Sequence, residues 1–385
     1  MKILFFNYEY PPLGGGAGQA NRYILNEFSK IEGLEVDLIT SAIDNSSSVE
    51  KISEKITIYK VPIRKNGDSL HFQSQKDLIL YAWKAMLLAN KLVKINKYDL
   101  THSFFTVPCG AISFWLRITK KIPYIISLRG SDVPGYSDRF KFIYLFLTPL
   151  IKLIWKKSGA VVSNSQGLKD LALTTNKEQA MGVIFNGTDI DNFYPDESLK
   201  NNDKFIITMG GTRITARKGI NYLIEALSVL IPKYPNLFLR LVGEGNEKDN
   251  LKELVKELRL DNVVEFVGLI SREKIVPYYQ EAKLFVLPSL NEGMSNAMLE
   301  ALAVGLPIIA TETGGTDELV EDGINGFVVK MKDAQDLAEK IEIILKDKDL
   351  CRKMGQESRE MAEKMSWKNV AGEYYELYKK VVNKK

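Results

Sequence analysis

The sequence predicts two doubly wound α/β domains in tandem, each a parallel sheet with helices on both faces. Three observations carry this. Short apolar runs alternate with longer amphipathic ones along the whole chain. A strand, glycine loop and helix open the chain at 3–30 and recur at 205–230, and a polar, proline-marked stretch from Tyr194 to Asp203 separates the two series. Its 385 residues are 45% hydrophobic and 26% charged, enough apolar chain for domains of this size and unlike disordered or fibrous composition.

Taken in order, the apolar run at 3–7 is a short buried strand. Pro11, Pro12, Leu13 and the glycine run Gly14, Gly15, Gly16, Ala17, Gly18 follow, then a helix over 20–30 with Tyr23, Ile24 and Phe28 on one side. Strands at 36–40, 56–61, 100–104, 124–128 and 160–163 alternate with helical stretches such as 78–95 and 140–156. The second series has a strand at 205–209, Gly210 and Gly211, a basic loop and a helix at 220–230, then strands at 238–242, 264–267, 284–287, 307–310 and 326–329. The last segment, 367–382, sets Val370, Tyr374, Tyr375, Leu377 and Tyr378 at mostly helical spacing among Lys and Glu. The expected division is 1–196, 197–365, and a helix at 366–385 crossing back to the first domain. Open α/β sheets bind ligands at the carboxyl ends of their strands, so two such sheets facing each other would hold two substrates across one cleft, as group transfer requires.

Charge and cysteine content narrow the class. A net charge of +4 is too small for a dedicated nucleic-acid binder. Residues 1–190 hold 24 Lys/Arg against 16 Asp/Glu, whereas 191–385 hold 28 against 32, so the first half is the basic one. Cys109 and Cys351 match no disulfide or zinc pattern, which fits a reducing cytoplasm. The opening apolar run of four is shorter than a signal-peptide core, and the uncharged run at 142–151 is half a bilayer span and contains Pro149. A cytoplasmic protein is expected. Within 139–157, Arg139, Lys141, Lys152, Lys156 and Lys157 flank Phe140, Phe142, Tyr144, Phe146 and Trp155. That segment reads either as a peripheral membrane contact or as a buried helix with charged ends.

The most informative run is Asn291 to Pro307, which follows the strand at 284–287, has Ser295 as N-cap and stops at Gly305. Glu292 precedes the helix and Glu300 lies on its body, with the helix N-terminus between them as an anion site. A second run, Gly210 to Gly219, places Arg213 and Lys218 at the end of the first strand of the second domain. The run Gly14 to Gly18 does not fit the Gly-x-Gly-x-x-Gly dinucleotide fingerprint, which argues against a nicotinamide dehydrogenase.

These runs resemble the Glu-x7-Glu and Arg-x4-Lys-Gly signatures of retaining family-4 glycosyltransferases with the GT-B fold, over essentially the whole chain. The fold implied is two Rossmann-like domains facing each other across a cleft, the first binding acceptor and the second a nucleotide-sugar donor. By that resemblance Glu292 contacts donor-sugar hydroxyls and Glu300 the ribose. Arg213 and Lys218 hold the diphosphate, and backbone around Gly293, Met294, Ser295 and Asn296 approaches diphosphate and sugar. Gly15 and Gly16, in the family's Pro-Pro-x-x-Gly-Gly opening, approach the donor, and Val267 and Gly268 cradle its base.

In the first domain, His102, Arg129 and Asp132 are acceptor-side candidates at strand ends. Many members carry His-Gly where this chain has Arg129 and Gly130, so no histidine role is carried to that position. Arg129 either contacts an anionic substrate or forms an ion pair with Asp132 that shapes the loop. His71, in a polar segment, is assigned to the surface. The implied partners are a UDP- or GDP-linked sugar and a glycan or lipid-linked acceptor, with no nucleic acid. No cofactor and no divalent metal are expected, because cationic side chains and a helix N-terminus take the metal's electrostatic role, and Asp189/Asp191 and Asp347/Asp349 stand away from the site. Two rivals remain, a nucleotide-sugar 2-epimerase of the same architecture and a non-catalytic sugar-nucleotide or glycan binder.

Overall fold

The structure is a computed structural model that describes residues 1–44, 46–63, 73–136, 141–200, 203–210, 213–271, 274–292 and 294–384. The chain forms two units, Met1–Asn186 with Trp367–Lys385, and Gly187–Ser366.

Among the described residues, the first unit contains strands β1 (Lys2–Phe6), β2 (Glu35–Ala42), β3 (Ser48–Lys51), β4 (Ile56–Pro62), β5 (Leu100–Phe104), β6 (Tyr124–Leu128), β7 (Ala160–Ser163) and β8 (Gly182–Val183). They form one sheet in the order β3-β4-β2-β1-β5-β6-β7-β8. Helices α1 (Gly16–Lys30), α2 (Gln75–Ile95), α3 (Ala111–Lys120), α4 (Lys141–Lys157) and α5 (Gln166–Thr175) make the crossovers. All pairings are parallel except that of β3 with β4. This edge strand departs from the expected parallel pattern, and its four residues are all exposed, so it carries no apolar run that marks a strand. The central strands β1, β5 and β6 are buried on both faces, which is why they read as continuous apolar or small-residue runs.

In the second unit, β9 (Phe205–Met209), β10 (Leu237–Val242), β11 (Val264–Gly268), β12 (Leu284–Leu287), β13 (Ile308–Thr311) and β14 (Gly326–Val329) pair in parallel in the order β11-β10-β9-β12-β13-β14. Helices α6 (Ile220–Leu230), α7 (Lys248–Glu257), α8 (Val276–Gln280), α9 (Asn296–Ala303), α10 (Ala334–Lys346) and α11 (Lys348–Lys364) cover it. The final helix α12 (Trp367–Asn383) belongs to the first unit: Tyr23 stacks on Trp367 at 5.3 Å, and Phe28 lies 5.7 Å from Tyr378. Val370, Tyr374, Tyr378 and Val381 bury one stripe of α12, each large apolar side chain contributing roughly 1.5–3 kcal/mol.

The sequence sets the join at 196/197, whereas the first unit ends at Asn186. The intervening residues are anchored in the second unit. Arg359 on α11 donates to the carbonyls of Phe193 at 2.9 Å and Ala303 at 2.6 Å, and Phe193 packs on Tyr279.

Candidate functional site

In the second sheet the strand order reverses between β9 and β12, the switch point at which open sheets of this kind hold ligands. The loops leaving these two strands are tied together. Leu290 N–H donates to the Arg217 carbonyl at 2.7 Å, and Gly219, at φ +61°, sits so close to the Pro288 carbonyl that a Cβ would come within 2.1 Å. Across this contact the Lys218 ammonium pairs with the Glu292 carboxylate, which also accepts from Ser289 Oγ at 3.3 Å. Thr311 donates to the Ser289 carbonyl and fixes that loop to β13. The Lys218 and Glu292 side chains are only 9% and 16% exposed, so the pair is largely dehydrated. Arg213, earlier in the β9 loop, is exposed. Its neighbour Ile214 is pinned by a 3.0 Å bond to the Glu244 carbonyl and by Gly245, where a Cβ would lie 1.9 Å from the Ile214 oxygen.

Glu300 is buried on α9 and accepts from the Tyr279 hydroxyl at 3.0 Å. The same ring covers Gly210 at the end of β9, where a Cβ would meet it at 3.1 Å. Ser295 caps α9 by accepting from Met298 N–H at 3.4 Å; Met294 is buried and Asn296 half-buried beside it. The expected contact at Gly293 lies outside the described residues, as do Gly211 and Thr212. Val267 is half-buried, and Gly268, at φ +88°, accepts from Gly243 N–H at 2.9 Å across a register shift between β10 and β11. Lys218, Glu292, Glu300, Gly268 and the Arg213 loop therefore gather at the carboxyl end of one sheet. The two Asp-x-Asp runs have local roles: Asp189 accepts from Asn192 Nδ2 at 2.6 Å, and Asp347 caps α11.

The first unit has its switch point between β1 and β5. Gly15 and Gly16 are exposed after β1, and Gly15 N–H donates to Glu9 Oε2 at 3.1 Å. Gly14, at φ +92°, lies against the same side chain: a Cβ there would fall 2.5 Å from Glu9 Cβ.

The strand end that was to present His102 instead encloses it. His102 is fully buried, stacked 4.1 Å from Phe5, with Nδ1 2.7 Å from the Tyr378 hydroxyl and Nε2 2.7 Å from Ser127 Oγ. Burial, and next the Arg129 charge, hold its imidazole well below the ordinary histidine range, so the ring is neutral. Arg129 lies over the Phe104 ring at 3.5 Å and donates to Asn186 Oδ1 at 2.8 Å and the Tyr374 hydroxyl at 3.0 Å; its Nε is buried without a partner. The expected alternative of an Arg129–Asp132 ion pair gives way to backbone bonds. Asp132 accepts the amides of Arg129 at 3.0 Å, Gly130 at 3.2 Å and Thr106 at 2.8 Å. Burial raises its carboxyl above the ordinary range, and the amides of Arg129 and Thr106 oppose the rise. His71 and residues 139–140 lie outside the described residues.

Glu9, Tyr279, Ser289, Asn186 and Tyr374 complete these arrangements without having been singled out as site residues. Only Tyr374 carried any signal, its helical spacing; the others act through contacts that no local pattern encodes.

Known proteins resemble this chain along nearly its whole length. Residues 14–192 match the family described as Glycosyltransferase Family 4, and residues 189–361 match Glycosyl transferases group 1. An uncharacterized glycosyltransferase of Haemophilus influenzae is 31% identical over 91% of this chain and 93% of its own. D-inositol 3-phosphate glycosyltransferase of Corynebacterium urealyticum is 31% identical over 98% and 95%. In fold, the chain is similar to sucrose-phosphate synthase from Thermosynechococcus elongatus, with a TM-score of 0.82 at 23% identity over all of both chains. It is also similar to Anabaena HepE in complex with UDP, with a TM-score of 0.75 at 20% identity over 98% and 99%.

Proposed function

Because this chain belongs to the glycosyl transferases group 1 family, we propose that it is a retaining enzyme that moves a sugar from a UDP- or GDP-linked donor to a hydroxyl acceptor, a lipid-linked glycan or polysaccharide precursor. The observation that carries the reading is the dehydrated Lys218–Glu292 pair at the switch point of the second sheet. With donor bound, Lys218 and Arg213 hold the diphosphate, Glu292 the hydroxyls of the transferred sugar and Glu300 the ribose. Val267 and Gly268 flank the base.

Transfer breaks the bond between the sugar's anomeric carbon and the phosphate oxygen, and the electron pair leaves with the phosphate. Lys218, Arg213 and the N-terminus of α9 offset the charge that develops there. The acceptor oxygen forms the new bond on the same face, and its proton passes to the departing phosphate. No protein nucleophile enters, and fixed cations take the part that a divalent metal plays elsewhere.

The test is NMR of reactions with UDP- and GDP-sugars in excess EDTA, with and without alcohol acceptors. Acceptor-dependent release of nucleoside diphosphate, with the donor's anomeric configuration kept, supports the proposal. Formation of a free nucleotide-sugar epimer without acceptor would identify an epimerase, and binding without release a non-catalytic module.

A further inference from the structure

Among the described residues, no helix is long and apolar enough to cross a membrane, yet one layer of the first unit has an amphiphilic outer surface. Helix α3 packs between α2 and α4 on one side of the sheet. Each presents apolar residues outward at helical spacing. On α2 these are Ile79, Trp83 and Leu87, with Trp83 61% exposed; on α3, Trp115 and Ile118; on α4, Phe146, Leu150 and Leu153, with Phe146 83% exposed. The opposite stripes are the buried ones, Tyr81 and Ala85 on α2 and Ile151 and Trp155 on α4, so these helices dock on the sheet and still keep a second apolar face.

Charge identifies what covers that face. The three helices carry ten Lys/Arg and a single acidic residue, Asp77, which closes the capping box of α2. Where α2 and α3 end, a cavity of about 670 Å³ is lined by Lys97, Arg117, Lys120 and Lys121, and none of the four forms an ion pair among the described residues. A second copy of this surface would oppose cation to cation. An anionic bilayer takes the aromatic and aliphatic side chains into its interface, neutralises the lysines and offers phosphate headgroups to the cavity.

We propose that the α2–α3–α4 layer docks on an anionic lipid bilayer, with the lysine- and arginine-lined cavity receiving a phosphate headgroup. This extends the expected contact at 139–157 from one helix to three, and it stands independently of the glycosyltransferase reading.

The chain reports its own docking, because Trp83 and Trp115 are exposed in this layer while Trp155 and Trp367, the other two tryptophans, are buried. The experiment mixes full-length protein with vesicles of phosphatidylcholine alone or with phosphatidylglycerol, and reads co-sedimentation, tryptophan emission and iodide quenching. The expected result is association with the anionic vesicles only, a blue shift, and protection from iodide, all reversed by added salt. Lys120→Ala with Lys152→Ala lowers the partition coefficient roughly 25-fold, about fivefold per cation. Trp83→Ser with Phe146→Ser weakens association while the thermal midpoint stays unchanged, since both side chains are exposed. The proposal is overturned by equal association with both vesicle types, by none with anionic vesicles, by emission changes with inorganic phosphate but not with vesicles, or by a dimer in solution that Phe146→Ser dissociates.

Discussion

Replacing Glu292 by Gln separates the two roles assigned to the switch-point pair. Glu292 pairs with the ammonium that the proposed donor's diphosphate is to take, and Ser289 Oγ anchors the same carboxylate oxygen. Fully exposed pairs contribute about 0.2–1 kcal/mol and breaking buried ones costs about 3–5 kcal/mol. With side chains 9% and 16% exposed, this pair falls between, at about 1–2 kcal/mol. Gln keeps the shape and the bond from Ser289 but releases the charge on Lys218. Free UDP or GDP, whichever binds, is therefore expected to bind Glu292→Gln about 5–30-fold more tightly than wild type by isothermal titration calorimetry. The transfer rate moves the other way: losing a charged hydrogen bond to the sugar costs about 1.5–3 kcal/mol, or roughly 10–150-fold in kcat. Weaker or unchanged nucleotide affinity in Glu292→Gln would refute the competition between carboxylate and phosphate for Lys218.

Three further outcomes follow from neighbouring contacts. Tyr279→Phe removes the 3.0 Å bond that aims Glu300 and should weaken nucleotide binding by about 1.5–3 kcal/mol without lowering the thermal midpoint by more than a few degrees, read by calorimetry. Gly219→Ala places a Cβ 2.1 Å from the Pro288 carbonyl at a left-handed φ of +61°, so urea unfolding should show a loss of about 2 kcal/mol or more, accompanied by lost donor binding as Lys218 moves. His102 is held neutral in the folded state, so below pH ~6.5 the unfolded chain binds the extra proton and stability falls as pH falls. Stability is therefore expected to be lower at pH ~5.5 than at pH ~7.5, and His102→Gln should flatten that pH dependence in urea titrations at the two pH values.

The sheets were legible because their strands are buried on both faces and write apolar runs between helical periods, as β1 and β9 do. The antiparallel strand β3 was not, because an exposed edge needs no apolar residues, and two-residue β8 is too short to show a period. The chain's return to the first unit could be anticipated from the apolar stripe of α12. The place where it leaves could not: Pro195 and the polar residues around it look like a linker, but Arg359 and Tyr279 anchor Phe193 from far along the sequence. In the candidate site, Lys218 and Glu292 were singled out through the resemblance of their runs to family signatures, and folding brings the two side chains together. Tyr279 behind Glu300 and Glu9 behind Gly14 and Gly15 were invisible, since their partners are set by folding. His102 shows the converse error. A polar residue near a strand end suggests exposure, but hydroxyls of Tyr378 and Ser127, remote in sequence, satisfy it within the core.

The most direct test of the donor site is thermal unfolding in excess EDTA, titrated with UDP, GDP, their common sugar conjugates and NAD, on wild type and Lys218→Ala. The account predicts that a UDP or a GDP series stabilises the wild type, by about 2.7 kcal/mol at 100 times its dissociation constant. The same concentrations should leave Lys218→Ala nearly unshifted and NAD without effect. Stabilisation by NAD alone, or equal stabilisation of wild type and Lys218→Ala by the nucleotide series, would contradict the assignment of the switch-point loops as the site that holds the donor's diphosphate.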